Sequence, residues 1–145
     1  MAKLDDSKTV SWTDDFGGSG KVSAKHILIS VGGRPTLPNL PGVREYAITS
    51  DDLFSLPHAP GKTLCVGAGY ISLECGGFLT NLGYDTTISV RSVPLRVGNF
   101  DRQCVDKLVS LMELQGTRFL YKSEPKSIRK NSETGKLIVT LINVE

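Results

Sequence analysis

Several things are scarce in this chain of 145 residues, and each scarcity removes a class of protein. No apolar run approaches the roughly 20 residues that a membrane-crossing helix needs, so no bilayer partner is expected. The N-terminus, Met1-Ala2-Lys3-Leu4-Asp5-Asp6, lacks the apolar stretch of a secretory leader. A soluble, cytoplasmic protein is the expectation, with a mitochondrial form compatible with it. Cys65, Cys75 and Cys104 are the only cysteines; an odd number with no close pair argues against a disulfide framework or a zinc knuckle. They read as thiols in packed elements, and no metal is expected. Charge of one sign is also lacking: 17 basic against 15 acidic residues leave +2, which gives no field for nucleic acid. His26 and His58 have no nucleophile or metal partner near them in sequence and are assigned no catalysis.

What is present is an ordinary globular composition, with 39% hydrophobic and 22% charged residues, which excludes disorder. Thr9-Val10-Ser11-Trp12 alternates as a strand, Asp15 to Gly20 carries turn residues, and Lys21 to Ser23 resumes the extended pattern. A hairpin is expected there. His26-Ile27-Leu28-Ile29-Ser30-Val31 then runs apolar into Gly32-Gly33, the pattern of a central strand buried on both faces. Pro35, Pro38 and Pro41 stiffen the next stretch and remove ladder donors, so a domain boundary is placed after residue 34. Thr49-Ser50-Asp51-Asp52 caps a short helix running through Phe54 and Leu56 to Pro57.

Beyond it, strands at Thr63–Val66 and Thr86–Val90 alternate with helices reaching about Leu82 and spanning Asp101 to about Gln115. That βαβα order predicts an α/β fold: a Rossmann-like parallel sheet with flanking helices. In the first helix Ile71, Cys75, Phe78, Leu79 and Leu82 form an apolar stripe, and Gly83 suits the left-handed residue past its end. Gly76 and Gly77 cost helix propensity, so something is expected to pack closely against them. Arg118–Tyr121 reads as a further strand, and Ser127–Arg129 with Lys136–Ile142 as an antiparallel hairpin.

The informative phrase is Leu64-Cys65-Val66-Gly67-Ala68-Gly69-Tyr70-Ile71-Ser72-Leu73-Glu74, a strand entering a glycine-paired turn that opens into a helix. Gly67 permits the turn, and Gly69 lets the backbone approach a pyrophosphate at the helix N-terminus, where free N–H groups point outward. Ser72 replaces the third glycine of that fingerprint, and its small side chain still allows close helix–strand packing. In such domains an acidic residue ending the second strand binds the ribose of NAD, whereas a basic one accepts the extra phosphate of NADP. Here Val90 is followed by Arg91 and Ser92, with Arg96 further on, so NADPH is the expected cofactor. From spacing alone, Tyr70 reads as packing and Glu74 as a complement to the helix dipole.

Together with Ile27 to Pro35, Ser50 to Pro57 and Pro60 to Leu64, these motifs resemble the large thioredoxin reductases and thioredoxin-glutathione reductases of the pyridine nucleotide–disulfide oxidoreductase family. The resemblance runs from Lys25 to the end of the chain. It implies a flavoenzyme in which FAD and NADPH occupy separate domains and a hydride passes from nicotinamide to flavin and on to a disulfide. Residues 1–34 then match the end of the first FAD-domain segment, hairpin and return strand, and 35–145 the NADPH-binding domain. Gly67, Ala68, Gly69, Tyr70, Ile71 and Ser72 match the pyrophosphate turn, and Arg91, Ser92 and Arg96 the 2′-phosphate clamp. Tyr70 matches a tyrosine that covers the flavin, Glu74 a glutamate paired with a lysine beside it, and Arg34 a basic residue near the nucleotide. Ser30-Val31-Gly32 stands where the family has Ala-Thr-Gly.

The resemblance further implies thioredoxin and glutathione disulfide as partners and a homodimer for the complete enzyme. No FAD fingerprint precedes Thr9, and no Cys-x4-Cys pair is present, so the chain is expected to be an internal segment with no catalytic residue of its own. Glutathione reductase is the nearest rival. Dihydrolipoyl dehydrogenase would want an acidic residue at Arg91, and the arginines argue against a stand-alone nucleotide-binding module or a methyltransferase.

Overall fold

A computed structural model describes residues 1–95 and 100–144. Their contacts divide into two compact units, Met1–Arg34 and Pro35–Glu145.

In the first unit β1 (Ala2–Leu4), β2 (Thr9–Thr13) and β3 (Ser19–Ser23) form an antiparallel sheet in the order β1-β2-β3. The expected hairpin is present, and β1 adds a strand that its short, charged sequence does not announce. Asp14 closes the turn by accepting from the N–H groups of Phe16 and Gly18 at 2.9 and 2.7 Å. The buried strand expected at His26–Val31 is not formed: Leu28, Ile29 and Val31 are 86%, 67% and 87% exposed. A central strand needs ladder partners on both edges, and no described residue supplies one.

The second unit begins with two one-turn helices, α1 (Val43–Tyr46) and α2 (Ser50–Leu53). α1 is additional to the expected elements, and α2, opened by a capping box at Thr49 and Asp52, ends at Leu53, short of the expected Leu56. Then follow β4 (Thr63–Val66), α3 (Tyr70–Asn81), β5 (Thr86–Val90), α4 (Arg102–Leu114) and β6 (Arg118–Tyr121), with β4, β5 and β6 parallel in that order. β7 (Ser123–Lys130) and β8 (Leu137–Asn143) close the chain as the expected antiparallel pair.

β5 is the centre, buried along its whole length. Ile88 and Val90 join Leu73 of α3, Leu95, and Val105, Val109 and Met112 of α4 in one apolar cluster. At roughly 25 cal/mol per Å2 of apolar surface, a cluster of this kind is the main stabilising term of the unit. Gly76 is where α3 presses on β5: a Cβ there would lie 2.9 Å from Ile88 Cδ1. Gly83, with φ +90°, follows the Leu82 cap as expected.

The apolar stripe of α3 needs correction. Leu73, Gly76 and Leu79 are the buried residues, whereas Ile71 and Leu82 are 46% and 69% exposed. The helix is apolar on more than one side, and Ile71 and Cys75 line a separate cavity. Cys104 is exposed on α4, contrary to the packed position expected of it.

Candidate functional site

The site is built where the chain leaves β4. The Gly67 N–H donates to Ser89 O of β5 at 3.0 Å, which ties the turn to the neighbouring strand. Gly67 has φ +88°, a conformation that costs an L-residue with a side chain roughly 1–2 kcal/mol. Gly69 is the N-cap of α3 and gives it no side-chain cap. The first helical bond runs from Leu73 N–H to Gly69 O at 3.1 Å, so the N–H groups of Tyr70, Ile71 and Ser72 have no acceptor within the helix. A Cβ built on Gly67 or Gly69 would meet nothing within 4 Å. Open space, free donors and the positive end of a 12-residue helix therefore coincide, which suits an anion.

The loop leaving β5 returns to this turn. Arg91 and Ser92 are exposed just past Val90, while Pro94 and Leu95 are buried. The Leu95 N–H donates to Ala68 O at 2.8 Å, and Arg102 of α4 holds Pro94 O at 3.1 Å. Leu95 accepts φ +42° to make that return. Arg91 is 3.6 Å through Nε from the Glu124 carboxylate. Tyr70 is 57% exposed on the first turn of α3, and Glu74 is exposed one turn later.

Gly67, Ala68, Gly69, Tyr70, Ile71, Ser72, Glu74, Arg91 and Ser92 thus share one end of the parallel sheet, because each lies at the C-terminal edge of β4 or β5 or on the first turns of α3. Arg96 lies outside the described residues. Gly32 and Arg34 belong to the first unit, where Gly32 takes φ +69° in open space. Glu124 and Ser123 have no motif to announce them.

Beside the turn, a cavity of about 410 Å3 lies against β4 and α3, lined among others by Val43, Leu64, Cys65, Ser72, Cys75 and Pro125. Burial pushes the Cys65 thiol up to about 11, with the Cys75 thiol adding to it. Burial also raises the Cys75 thiol. Both stay protonated and unreactive at neutral pH. The Ser72 hydroxyl is buried with no hydrogen-bond partner of normal geometry among the described residues.

A parallel strand, a Gly-x-Gly turn and an uncapped helix N-terminus define the dinucleotide-binding class of α/β protein. Comparison with known proteins agrees: the model of the pyridine nucleotide-disulphide oxidoreductase family matches residues 2–144. The chain belongs to that family. It is 49% identical over 133 residues to a thioredoxin reductase of Plasmodium falciparum (isolate FCH-5), covering 90% of this chain and 24% of that protein. It is 42% identical over 144 residues to the mitochondrial thioredoxin reductase 2 of Drosophila melanogaster, covering 99% of this chain and 27% of that protein. The chain therefore spans about a quarter of the length of the curated relatives it matches.

Among solved structures, the fold resembles the Cu(II) complex of an HOCl-induced flavoprotein disulfide reductase from Escherichia coli. The TM-score is 0.70 at 20% identity, covering 99% of this chain and 33% of that one. It also resembles a water-forming NADH oxidase of Lactobacillus brevis bound to NADH, with a TM-score of 0.65 at 19% identity, covering 97% of this chain and 33% of that one. At such identities the likeness is one of fold.

Proposed function

We propose that residues 35–145 form the NADPH-binding portion of a flavin-dependent disulfide reductase. In the complete enzyme NADPH held here would supply the hydride for flavin-dependent reduction of a disulfide, that of thioredoxin and, in a broader form, of glutathione. The chain's own residues do the holding. The N–H groups of the α3 N-terminus take the pyrophosphate, and Gly69 leaves room for it. Arg91 and Ser92, with Arg96, take the 2′-phosphate. Tyr70 is assigned to the face turned toward the flavin and Glu74 to a lysine beside it. Gly32 and Arg34 belong to the FAD-side segment, residues 1–34, and a homodimer is the assembly proposed for the complete enzyme.

One observation carries this reading: the Gly67 N–H bonds to Ser89, and Arg91 follows Ser89 by two residues, so a guanidinium leaves the sheet beside the glycine turn. Each charge-assisted bond to phosphate is worth roughly 1.5–3 kcal/mol. Calorimetric titration of the chain should therefore show tighter binding of NADPH than NADH. Arg91→Ala should weaken NADPH by about tenfold to a hundredfold and leave NADH nearly unaltered. Equal affinities for the two coenzymes in the unmodified chain would overturn the proposal.

A further inference from the structure

The exit of β5 already faces an anion of the chain's own. Lys122 adopts φ +50°, and this left-handed residue turns the chain from β6 into β7. Ser89, 1% exposed, donates its hydroxyl to Ser123 O at 2.8 Å, and the Ser123 hydroxyl donates to Leu120 O at 2.7 Å. The first bond fastens the start of β7 to the far end of β5, and the second ties it back to β6. Arg91 lies two residues beyond Ser89 and Glu124 one beyond Ser123, so the anchored backbones bring their solvent-exposed side chains to an Nε–Oε2 separation of 3.6 Å.

We propose that Glu124 is a specificity-determining residue that attenuates binding of the phosphorylated coenzyme at Arg91. The inference rests on the assignment of Arg91 to the 2′-phosphate. A phosphate dianion reaching that guanidinium comes within a few ångströms of the carboxylate already beside it, and like charges at that range repel even in a high dielectric. A ribose hydroxyl in the same place carries no charge and meets no such penalty. Glu124 thus narrows the preference that Arg91 creates, and it does so for the phosphorylated coenzyme only. Both side chains are exposed enough that salt screens the effect.

Glu124→Gln keeps the shape and leaves the Ser89–Ser123 anchor in place, so it isolates the charge. Titration at low salt should show NADPH binding about three- to tenfold tighter with NADH unaltered, the gain shrinking in about 0.5 M salt. Unaltered or weaker NADPH binding overturns the inference. An equal shift for both coenzymes overturns it too, since that marks Glu124 as a residue of the fold. Arg91→Ala, measured in parallel, separates the two levels. If it leaves the coenzyme preference intact, the phosphate assignment fails. If it removes the preference while Glu124→Gln changes nothing, the role of Glu124 alone fails.

Discussion

The tripeptide Ile-Ser-Val occurs twice, at 29–31 and at 88–90, and the two copies have opposite fates. In the first, Ile29 and Val31 are 67% and 87% exposed; in the second, Ile88 and Val90 are buried and form the centre of the core. Local propensity is the same in both, since β-branched residues favour extended backbone wherever they stand. The difference lies in the ladder. β5 has β4 on one edge and β6 on the other, each bringing a helix to cover it, whereas no described residue pairs with 29–31. A strand is a property of its neighbours as much as of its own residues.

Substitution at equivalent positions gives the strongest test of that contrast. Ile88→Ala removes a fully buried side chain packed against Gly76 of α3, which has no side chain of its own to fill the hole, and should cost about 2–5 kcal/mol. Ile29→Ala should alter stability by no more than about 0.5 kcal/mol. Urea denaturation of both variants checks the pair. A large loss from Ile29→Ala would mean that the first copy is a packed strand in solution.

A smaller effect belongs to the strand beside the buried copy. Cys65 of β4 is held as a thiol by burial, with a folded-state value of about 11 against an ordinary 9.0. The folded chain therefore keeps a proton that the unfolded chain gives up between those values. Stability from this group is whole below about pH 9 and is lost as pH rises through about 11, by roughly 2–3 kcal/mol at most. Denaturation midpoints measured from pH 7 to 11 should fall across that window, and Cys65→Ala should flatten the fall. An unaltered slope in the variant would locate the alkaline loss elsewhere.

Much of the second unit is legible in the sequence because its signals are local and mutually consistent. The Gly-x-Gly turn and Gly83 beyond α3 each fix an element end, and the βαβα order then fixes parallel pairing. The run at 26–31 misleads because periodicity reports what a segment could bury, not whether anything is there to cover it. The stripe on α3 misleads because a helix apolar on two sides offers two answers. Arg91 and Ser92 are legible by their place after a strand. Glu124 is not, because the contact joins residues far apart in sequence through a serine–serine anchor that carries no motif.

That anchor offers the smallest and most discriminating comparison, since the serine of the tripeptide also has two fates. Ser89 is buried and bonded to Ser123, while Ser30 is exposed. Ser89→Ala removes one buried hydrogen bond and should cost about 1 kcal/mol, whereas Ser30→Ala should cost nothing measurable. Its second consequence separates it from an ordinary loss of stability. With β7 no longer fastened to β5, the Glu124 carboxylate is freed from Arg91, and NADPH binding should tighten in the same direction as in Glu124→Gln while NADH binding holds. Denaturation and titration of the same preparation read both effects. A loss of stability with no change in coenzyme preference would show that Ser123 and Glu124 keep their positions without the serine, leaving the anchor a matter of packing alone.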